Sequence, residues 1–310
     1  MRTLFLGSPP FATPVLERLL ASSHEVVGVV TTPDRRAGRG RGLQRNPVAA
    51  LADAAQRPLL QPEGLRDPSA VQWLRDQDPE VLAVASYGEL LRTEVLELAP
   101  HGALNVHGSC LPRWRGASPV QAALLAGDEE TGITIQRMVL ELDAGDVLVE
   151  RRTAIGPRET AGELAARLAP LGGDALVEAL DAVGSGEARA TPQDPEQVTL
   201  CRKVPKGAGV MDFGLGPEQL DRHVRAMSPW PGASTTLPDG RRLVVLELEP
   251  AEAVGPAGQV LEGPGLTVGT GGGAVRLRRL KPAGKGAMED EAFLRGTSLP
   301  AGTLLGETNP

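Results

Sequence analysis

Asn105, His107 and Asp143 are the residues of this 310-residue chain whose types and spacing could do chemistry together. Asn105-Val106-His107 closes a short apolar run, and side chains two apart on a strand share one face, so an amide and an imidazole project together. In open parallel sheets ligands bind at the carboxyl ends of the strands, which is where this pair falls. A second turn, Leu142-Asp143-Ala144-Gly145-Asp146, brings carboxylates that can approach from another strand. An amide donor, an imidazole and a carboxylate suit acyl transfer to an amine. The carbonyl oxygen gains negative charge, the attacking nitrogen must shed a proton, and no covalent nucleophile is needed. A histidine standing alone more often packs or caps a strand than catalyses. The compound pattern sharpens the catalytic reading: Asn-x-His, then Ser109-Cys110-Leu111-Pro112-Arg113-Trp114-Arg115-Gly116, then Leu-Asp-x-Gly. Asp146 is the weaker carboxylate candidate.

The elements that must position these groups are legible as alternating patterns. Apolar runs at Thr3–Leu6, Glu25–Thr31, Pro58–Gln61, Val81–Ser86, Ala103–Val106 and Ile133–Val139 alternate with helical stretches at Thr13–Ala21, Pro47–Gln56, Pro68–Gln77 and Ser118–Ala126. That alternation predicts an α/β fold, a Rossmann-like, mostly parallel sheet covered on both faces. Ala161–Val183 repeats leucine and alanine at helical spacing and predicts a longer closing helix. After Gly184-Ser185-Gly186 the pattern changes. The expected division is a catalytic domain at 1–189, a linker at 190–208 and a second domain at 209–310. The second domain reads as a helix at Glu218–Met227 and strands at Arg241–Leu248, Ala257–Leu261, Leu266–Val268 and Ala274–Leu280. Short, evenly spaced strands predict a small OB-like β-barrel.

Composition narrows the class. A chain of this length with 41% hydrophobic residues can build two cores. Its longest apolar runs fall far short of the roughly 20 residues that span a bilayer, so no transmembrane helix is expected. The chain runs from Met1 straight into a strand without a signal-peptide pattern, which predicts a cytoplasmic protein. Cys110 and Cys201 form no CxxC or metal-ligand spacing, and no metal is expected. Gly7-Ser8-Pro9-Pro10-Phe11-Ala12 follows the first strand, but Pro9 and Ala12 stand where a dinucleotide fingerprint needs glycines, which argues against a nicotinamide cofactor and for a structural turn near the substrate cleft. A net charge of −7 argues against indiscriminate nucleic-acid binding. Against that background, Arg35, Arg36, Arg39, Arg41 and Arg45 cluster on a glycine-spaced stretch that reads as a mobile cationic loop. Such a segment suits a polyanion. Lys203, Lys206, Arg276, Arg278, Arg279, Lys281 and Lys285 make a second, weaker basic set, and Trp230 between two prolines reads as a packing corner.

Asn105 to Pro119 and Leu142 to Asp146 resemble the signature of the 10-formyltetrahydrofolate-dependent formyltransferases. Met1–Phe11, Pro33–Leu43, Ala85-Ser86-Tyr87-Gly88 and Arg225–Ala233 resemble the members that formylate initiator methionyl-tRNA, over essentially the full length. The resemblance implies a Rossmann-like catalytic domain joined to an OB-like tRNA-binding domain, with 10-formyltetrahydrofolate as cosubstrate. By it, Asn105 meets the formyl oxygen, and His107 stabilises the intermediate and helps protonate the leaving folate nitrogen. Asp143 orients His107 and relays the proton of the attacking amine. Ser109, Cys110, Leu111 and Pro112 line the folate site through backbone contacts, although Cys110 stands where the family usually has leucine. Arg35, Arg36, Arg39 and Arg41 are then expected to grip the tRNA acceptor end, with the protein acting as a monomer. Two alternatives stay open: a formyltransferase acting on a small amine such as an amino-sugar nucleotide, and a nonenzymatic RNA-binding protein.

Overall fold

The computed structural model describes residues 1–37 and 42–306. Its contacts divide the chain into two compact units, the first formed by Met1–Pro119, Glu130–Ala154 and Ala165–Arg202. The second comprises Val120–Glu129, Ile155–Leu164 and the described residues from Lys203 on.

In chain order the elements up to Arg202 are β1 (Arg2–Gly7), α1 (Ala12–Leu20), β2 (Glu25–Val30), β3 (Arg35–Ala37), β4 (Gly42–Gln44), α2 (Pro47–Ala54), β5 (Leu59–Leu60), α3 (Pro68–Asp76), β6 (Val81–Ala85), α4 (Thr93–Leu96), β7 (Ala103–His107), β8 (Arg115–Gly116), α5 (Pro119–Ala126), β9 (Glu130–Arg137), β10 (Val147–Ala154), α6 (Ala161–Ser185) and β11 (Leu200–Cys201). Seven strands form the central sheet in the order β10-β9-β7-β6-β1-β2-β5. Strands β7, β6, β1, β2 and β5 run parallel. β9 is antiparallel to β7, and β10 to β9. The mostly parallel, Rossmann-like sheet expected from the sequence is therefore present. Its central strands are apolar without interruption because both faces are covered: β6 is buried at every position, and Leu4, Phe5 and Leu6 of β1 are fully buried.

The helix starts carry their own signals. The Asn46 side chain accepts from the amides of Val48 and Ala49, with Pro47 in the first turn of α2. Asp67 does the same for Ser69 ahead of Pro68 in α3. Each cap satisfies amides that the first helical turn leaves without a partner. At the start of α6 Thr160 and Glu163 exchange hydrogen bonds, the Thr160 amide donating to Glu163 Oε2 at 2.9 Å and the Glu163 amide to Thr160 Oγ1 at 3.3 Å.

Two features of this part differ from expectation. β10 carries Glu150-Arg151-Arg152 and is exposed at several positions, so its apolar run is broken in the way charged edge strands usually are. The basic stretch is not simply a mobile loop, because Arg35–Ala37 pairs antiparallel with Gly42–Gln44. Arg45 fixes the base of this hairpin through Asp34 at 3.2 Å, Asp53 at 2.6 Å and Gln61 at 2.7 Å. Arg39 and Arg41 lie outside the described residues.

The second unit adds α7 (Pro217–Ala226), β12 (Ser234–Thr236), β13 (Arg242–Ala251), β14 (Thr267–Thr270), β15 (Gly273–Pro282), β16 (Met288–Glu289) and α8 (Asp290–Leu294). Its sheet runs β12-β13-β15-β14, with β16 also pairing β15, and every ladder is antiparallel. Among the described residues no ladder closes this sheet into a barrel. The strand expected at Ala257–Leu261 is absent: only single bridges join Gln259 to Leu304 and Val260 to Val268. Gly258, at φ 78°, turns the backbone out of the extended conformation there. Among the described residues no helix is long and apolar enough to cross a membrane.

Candidate active site

β7 ends on the expected pair. Asn105 faces Gln136 across the antiparallel ladder to β9, and His107 faces Thr134. His107 is 5% exposed, and its Nε2 lies 2.9 Å from the carbonyl oxygen of Trp114. A carbonyl only accepts, so Nε2 carries a hydrogen and Nδ1 is the nitrogen left to exchange a proton. Nδ1 sits 3.7 Å from Asp143 Oδ2, within ion-pair range and longer than a hydrogen bond. Trp114 reaches this position with φ at 64°, in the left-handed region, and its amide donates to Thr199 Oγ1 at 2.8 Å. The strained residue thus presents a main-chain acceptor to the imidazole and is anchored by the segment that follows α6.

Asp143 occupies the turn between β9 and β10, also with a left-handed φ of 49°. Its Oδ1 accepts from Asn105 Nδ2 at 3.3 Å and Gln136 Nε2 at 2.8 Å. Its Oδ2 accepts from the amide of Gly116 at 2.9 Å. Three donors around one carboxylate fix the face it turns to His107. Asp143, and not Asp146, is the carboxylate that joins Asn105 and His107. Gly145 lets the turn press on the end of β9, since a Cβ there would lie 1.6 Å from the Arg137 carbonyl oxygen. Gly145→Ala therefore forces the turn away: unfolding free energy falls by about 1–3 kcal/mol in a urea titration, and activity falls with it because Asp143 moves.

The loop expected to line a cosubstrate follows directly. Ser109 is buried, with its hydroxyl donating to the Arg113 carbonyl at 2.6 Å. The Leu111 amide donates to Thr134 Oγ1 at 3.0 Å, the Cys110 carbonyl accepts from Arg113, and the Pro112 carbonyl accepts from Thr199. This loop is held from both sides by β9 and by Thr199. Burial pushes the Cys110 thiol up to about 12, which keeps it neutral and removes it as a nucleophile. Among the described residues no group of three or more His, Cys, Asp or Glu could hold a metal ion. Arg35 and Arg36 are exposed on β3.

Sequence reasoning missed Gln136, Gln193 and Thr199. Gln136 carried a signal, a fully amidic side chain in the apolar run Ile133-Thr134-Ile135-Gln136, and it is 1% exposed. Gln193 and Thr199 sit in a stretch of turn-like composition that reads as linker. Yet the Thr199 carbonyl accepts from the Arg115 amide at 2.9 Å, and Leu200–Cys201 pairs in parallel with Arg115–Gly116.

Comparison with known proteins places these groups in a family setting. A model described as formyl transferase matches residues 1–180, and one described as formyl transferase, C-terminal domain, matches residues 203–298. The methionyl-tRNA formyltransferase of Methylobacterium sp. (strain 4-46) is 43% identical over 308 residues, 98% of this chain and 99% of that protein. The methionyl-tRNA formyltransferase of Anaeromyxobacter dehalogenans (strain 2CP-1 / ATCC BAA-258) is 47% identical over 283 residues, 89% of this chain and 90% of that protein. Among solved structures, HypX from Aquifex aeolicus in complex with tetrahydrofolic acid aligns with a TM-score of 0.62 at 20% identity. The alignment covers 95% of this chain and 47% of HypX, so the chain spans about half the length of that protein. WlaRD, a sugar 3N-formyl transferase, aligns with a TM-score of 0.64 at 13% identity over 92% of this chain and 98% of its own. These two likenesses are of fold alone.

Proposed function

We propose, because this chain belongs to the formyl transferase family, that it transfers the formyl group of 10-formyltetrahydrofolate to the α-amino group of initiator methionyl-tRNA. The observation that carries the reading is end-to-end likeness at 43% identity to a methionyl-tRNA formyltransferase, in a chain whose Asn105, His107 and Asp143 meet at one point. In this reading the protein acts in the cytoplasm as a monomer, and the second unit is an OB-like tRNA-binding domain.

The side chains suit the reaction. Asn105 offers a neutral amide N–H, the donor that a formyl oxygen accepts as it gains negative charge. His107 keeps its Nε2 hydrogen on the Trp114 carbonyl and turns Nδ1 to Asp143, so the proton that Asp143 takes from the attacking amine can reach Nδ1 and pass from there to the departing folate nitrogen. Asp143 orients the imidazole and takes the proton shed by the attacking amine, directly or through water. At 3.7 Å the contact between Nδ1 and Oδ2 tightens, or admits one water, once substrate closes the site. Ser109, Cys110, Leu111 and Pro112 form the wall against which the folate would lie. A formylated folate supplies the activated one-carbon unit, and the protein's share is positioning and proton management.

The test is direct. Purified protein is incubated with 10-formyltetrahydrofolate and methionyl-tRNA, and the amino acid released from the tRNA is assayed for formylmethionine. Wild-type protein that makes none, or that formylates an amino-sugar nucleotide in preference to the tRNA, overturns the reading.

The basic hairpin gives this reading its tRNA half. Arg35 and Arg36 are adjacent on β3 and so point to opposite faces, which means that they cannot contact one phosphate together. Replacing the arginine that faces the tRNA with alanine raises KM for methionyl-tRNA, roughly fivefold for each 1 kcal/mol lost, and leaves kcat unchanged. The same change flattens the dependence of log KM on log salt by about one for the lost phosphate contact. With Arg39 and Arg41 also replaced, the effect grows. If all four replacements leave tRNA kinetics and salt dependence unaltered, the hairpin is not a tRNA contact.

A further inference from the structure

We propose that Gln193 is a positioning residue for the reaction, acting through the backbone of the Asp143 turn. The inference rests on the functional reading above and adds a residue that the reading does not use. Gln193 lies beyond the long helix α6, 50 residues along the chain from Asp143, yet its Nε2 donates to the Asp143 carbonyl at 2.8 Å and to the Gly145 carbonyl at 2.7 Å. Both hydrogens of one side-chain amide therefore hold one turn. That turn needs holding, because Asp143 sits in the left-handed region that a non-glycine residue leaves when it can.

The amide can face only one way. Arg115 Nε donates to Gln193 Oε1 at 2.9 Å, which assigns the oxygen to Arg115 and the nitrogen to the turn. Arg115 is itself buried, with its guanidinium also 3.3 Å from Glu141 at the start of the turn. Gln136 Nε2 donates to Asp143 Oδ1 at 2.8 Å, and its Oε1 lies 3.4 Å from Gln193 Nε2, whose two hydrogens already serve the turn carbonyls, so the two amides meet on one residue from two sides. Arg115 thus fixes the Gln193 amide, Gln193 fixes the backbone of the turn, and Gln136 fixes the carboxylate that the turn carries. Gln136 holds Oδ1 and the Gly116 amide holds Oδ2, which turns Oδ2 to His107, while Gln193 fixes the backbone on which the carboxylate rides.

Two substitutions separate positioning from packing. Gln193→Glu keeps an oxygen for Arg115 but sets an acceptor against the carbonyls of Asp143 and Gly145. Gln193→Met keeps the volume and removes every hydrogen bond. Both should lower kcat for formylation of methionyl-tRNA about tenfold to a hundredfold, the scale of a small misplacement of a reacting group. KM for tRNA and folate should stay within about twofold, with the melting midpoint little changed. Gln136→Met reaches the same carboxylate from the other side. It should give the same kcat-specific loss, and the double variant should be no slower than the worse single, because both act on one group.

Full kcat in Gln193→Glu overturns the proposal. A loss that comes with raised KM for both substrates and a lowered melting midpoint overturns it too, by assigning Gln193 to packing. So do losses from Gln136→Met and Gln193→Met that multiply in the double variant. Wild-type formylation in the same assay tests the functional reading separately, so full activity of the variants beside an active wild type counts against Gln193 alone.

Discussion

His107→Ala loses about two to four orders of magnitude in kcat for formylation of methionyl-tRNA, the usual range for a positioned acid–base group, while KM for the tRNA stays close to wild type. The imidazole is 5% exposed, so it serves no surface role. Its two nitrogens have separate partners, the Trp114 carbonyl at 2.9 Å and Asp143 at 3.7 Å. In the proposed mechanism, removing the ring deletes the proton carrier between the carboxylate and the reacting centre and leaves the proposed tRNA contacts of Arg35 and Arg36 untouched. Asp143→Asn should fall in the same range, since the carboxamide accepts the Gly116 amide but cannot take a proton. The decisive measurement is the double variant. Residues that work as one unit are not additive, so His107→Ala with Asp143→Asn should be about as slow as the slower single variant. A product of the two losses would mean that the groups act in separate steps, and a fully active His107→Ala would remove the acid–base mechanism altogether.

Asp290→Ala lowers the stability of the second unit by about 1–3 kcal/mol, the cost of leaving the Leu266 amide and the Nε–H of Arg276 without their acceptor while Glu291 still holds the guanidinium at 3.0 Å. Asp290 is 1% exposed and opens α8. Arg276 grips it with two bonds, Nε to Oδ2 at 2.7 Å and Nη2 to Oδ1 at 3.0 Å, and the amides of Leu266 and Glu291 add 3.0 and 2.9 Å contacts. Burial alone would push the carboxyl up; the Arg276 guanidinium and the two amides outweigh it and hold the group below its ordinary value. A carboxyl whose folded value is depressed contributes stability that is complete above its unfolded value, about pH 4, and that is lost as pH falls through the folded value. Acid titration followed by circular dichroism should therefore show wild type losing stability below about pH 4, with that contribution missing from Asp290→Ala. Replacing both Asp290 and Arg276 with leucine should recover much of the loss, because neither charge is then stranded. A double variant as unstable as Asp290→Ala would trace the effect to packing at Gly265, where a Cβ would lie 1.8 Å from Asp290 Oδ2.

How far the sequence could be read depended on whether a residue's role was set by its neighbours in the chain. β1, β2, β6 and β7 were legible because covered strands must be apolar throughout. Asn105 and His107 were legible because strand periodicity alone puts them on one face. β10 was not, since an edge strand with one open side mixes Glu150, Arg151 and Arg152 into its run. The antiparallel strands of the second unit were legible from their spacing, but spacing does not say whether a stretch like Ala257–Leu261 forms a regular strand or, as here, meets β14 and Leu304 through single bridges. Within the site, the acceptor for His107 is a main-chain carbonyl, which no residue type announces. Gln193 was hidden for another reason: beside Thr191, Pro192 and Asp194 it has the composition of a turn, and only contacts across 78 positions to Arg115 give it work. Arg45 was counted among cations available to a polyanion, yet charge counts cannot see that Asp34 and Asp53 already hold it.

The pairing of Arg115–Gly116 with Leu200–Cys201 also sets a clock. Synthesis runs from the N-terminus at about 5–20 residues per second, so Asn105, His107 and Asp143 leave the ribosome seconds before the segment that clamps their loops. Until Cys201 has emerged, Trp114 has no Thr199 to fix its backbone and Gly116 has no strand beside it. A nascent chain stopped short of residue 202 therefore holds the reacting side chains and much of the sheet without an assembled centre. The loops around Asn105, His107 and Asp143 are clamped only once the chain has been made through Cys201.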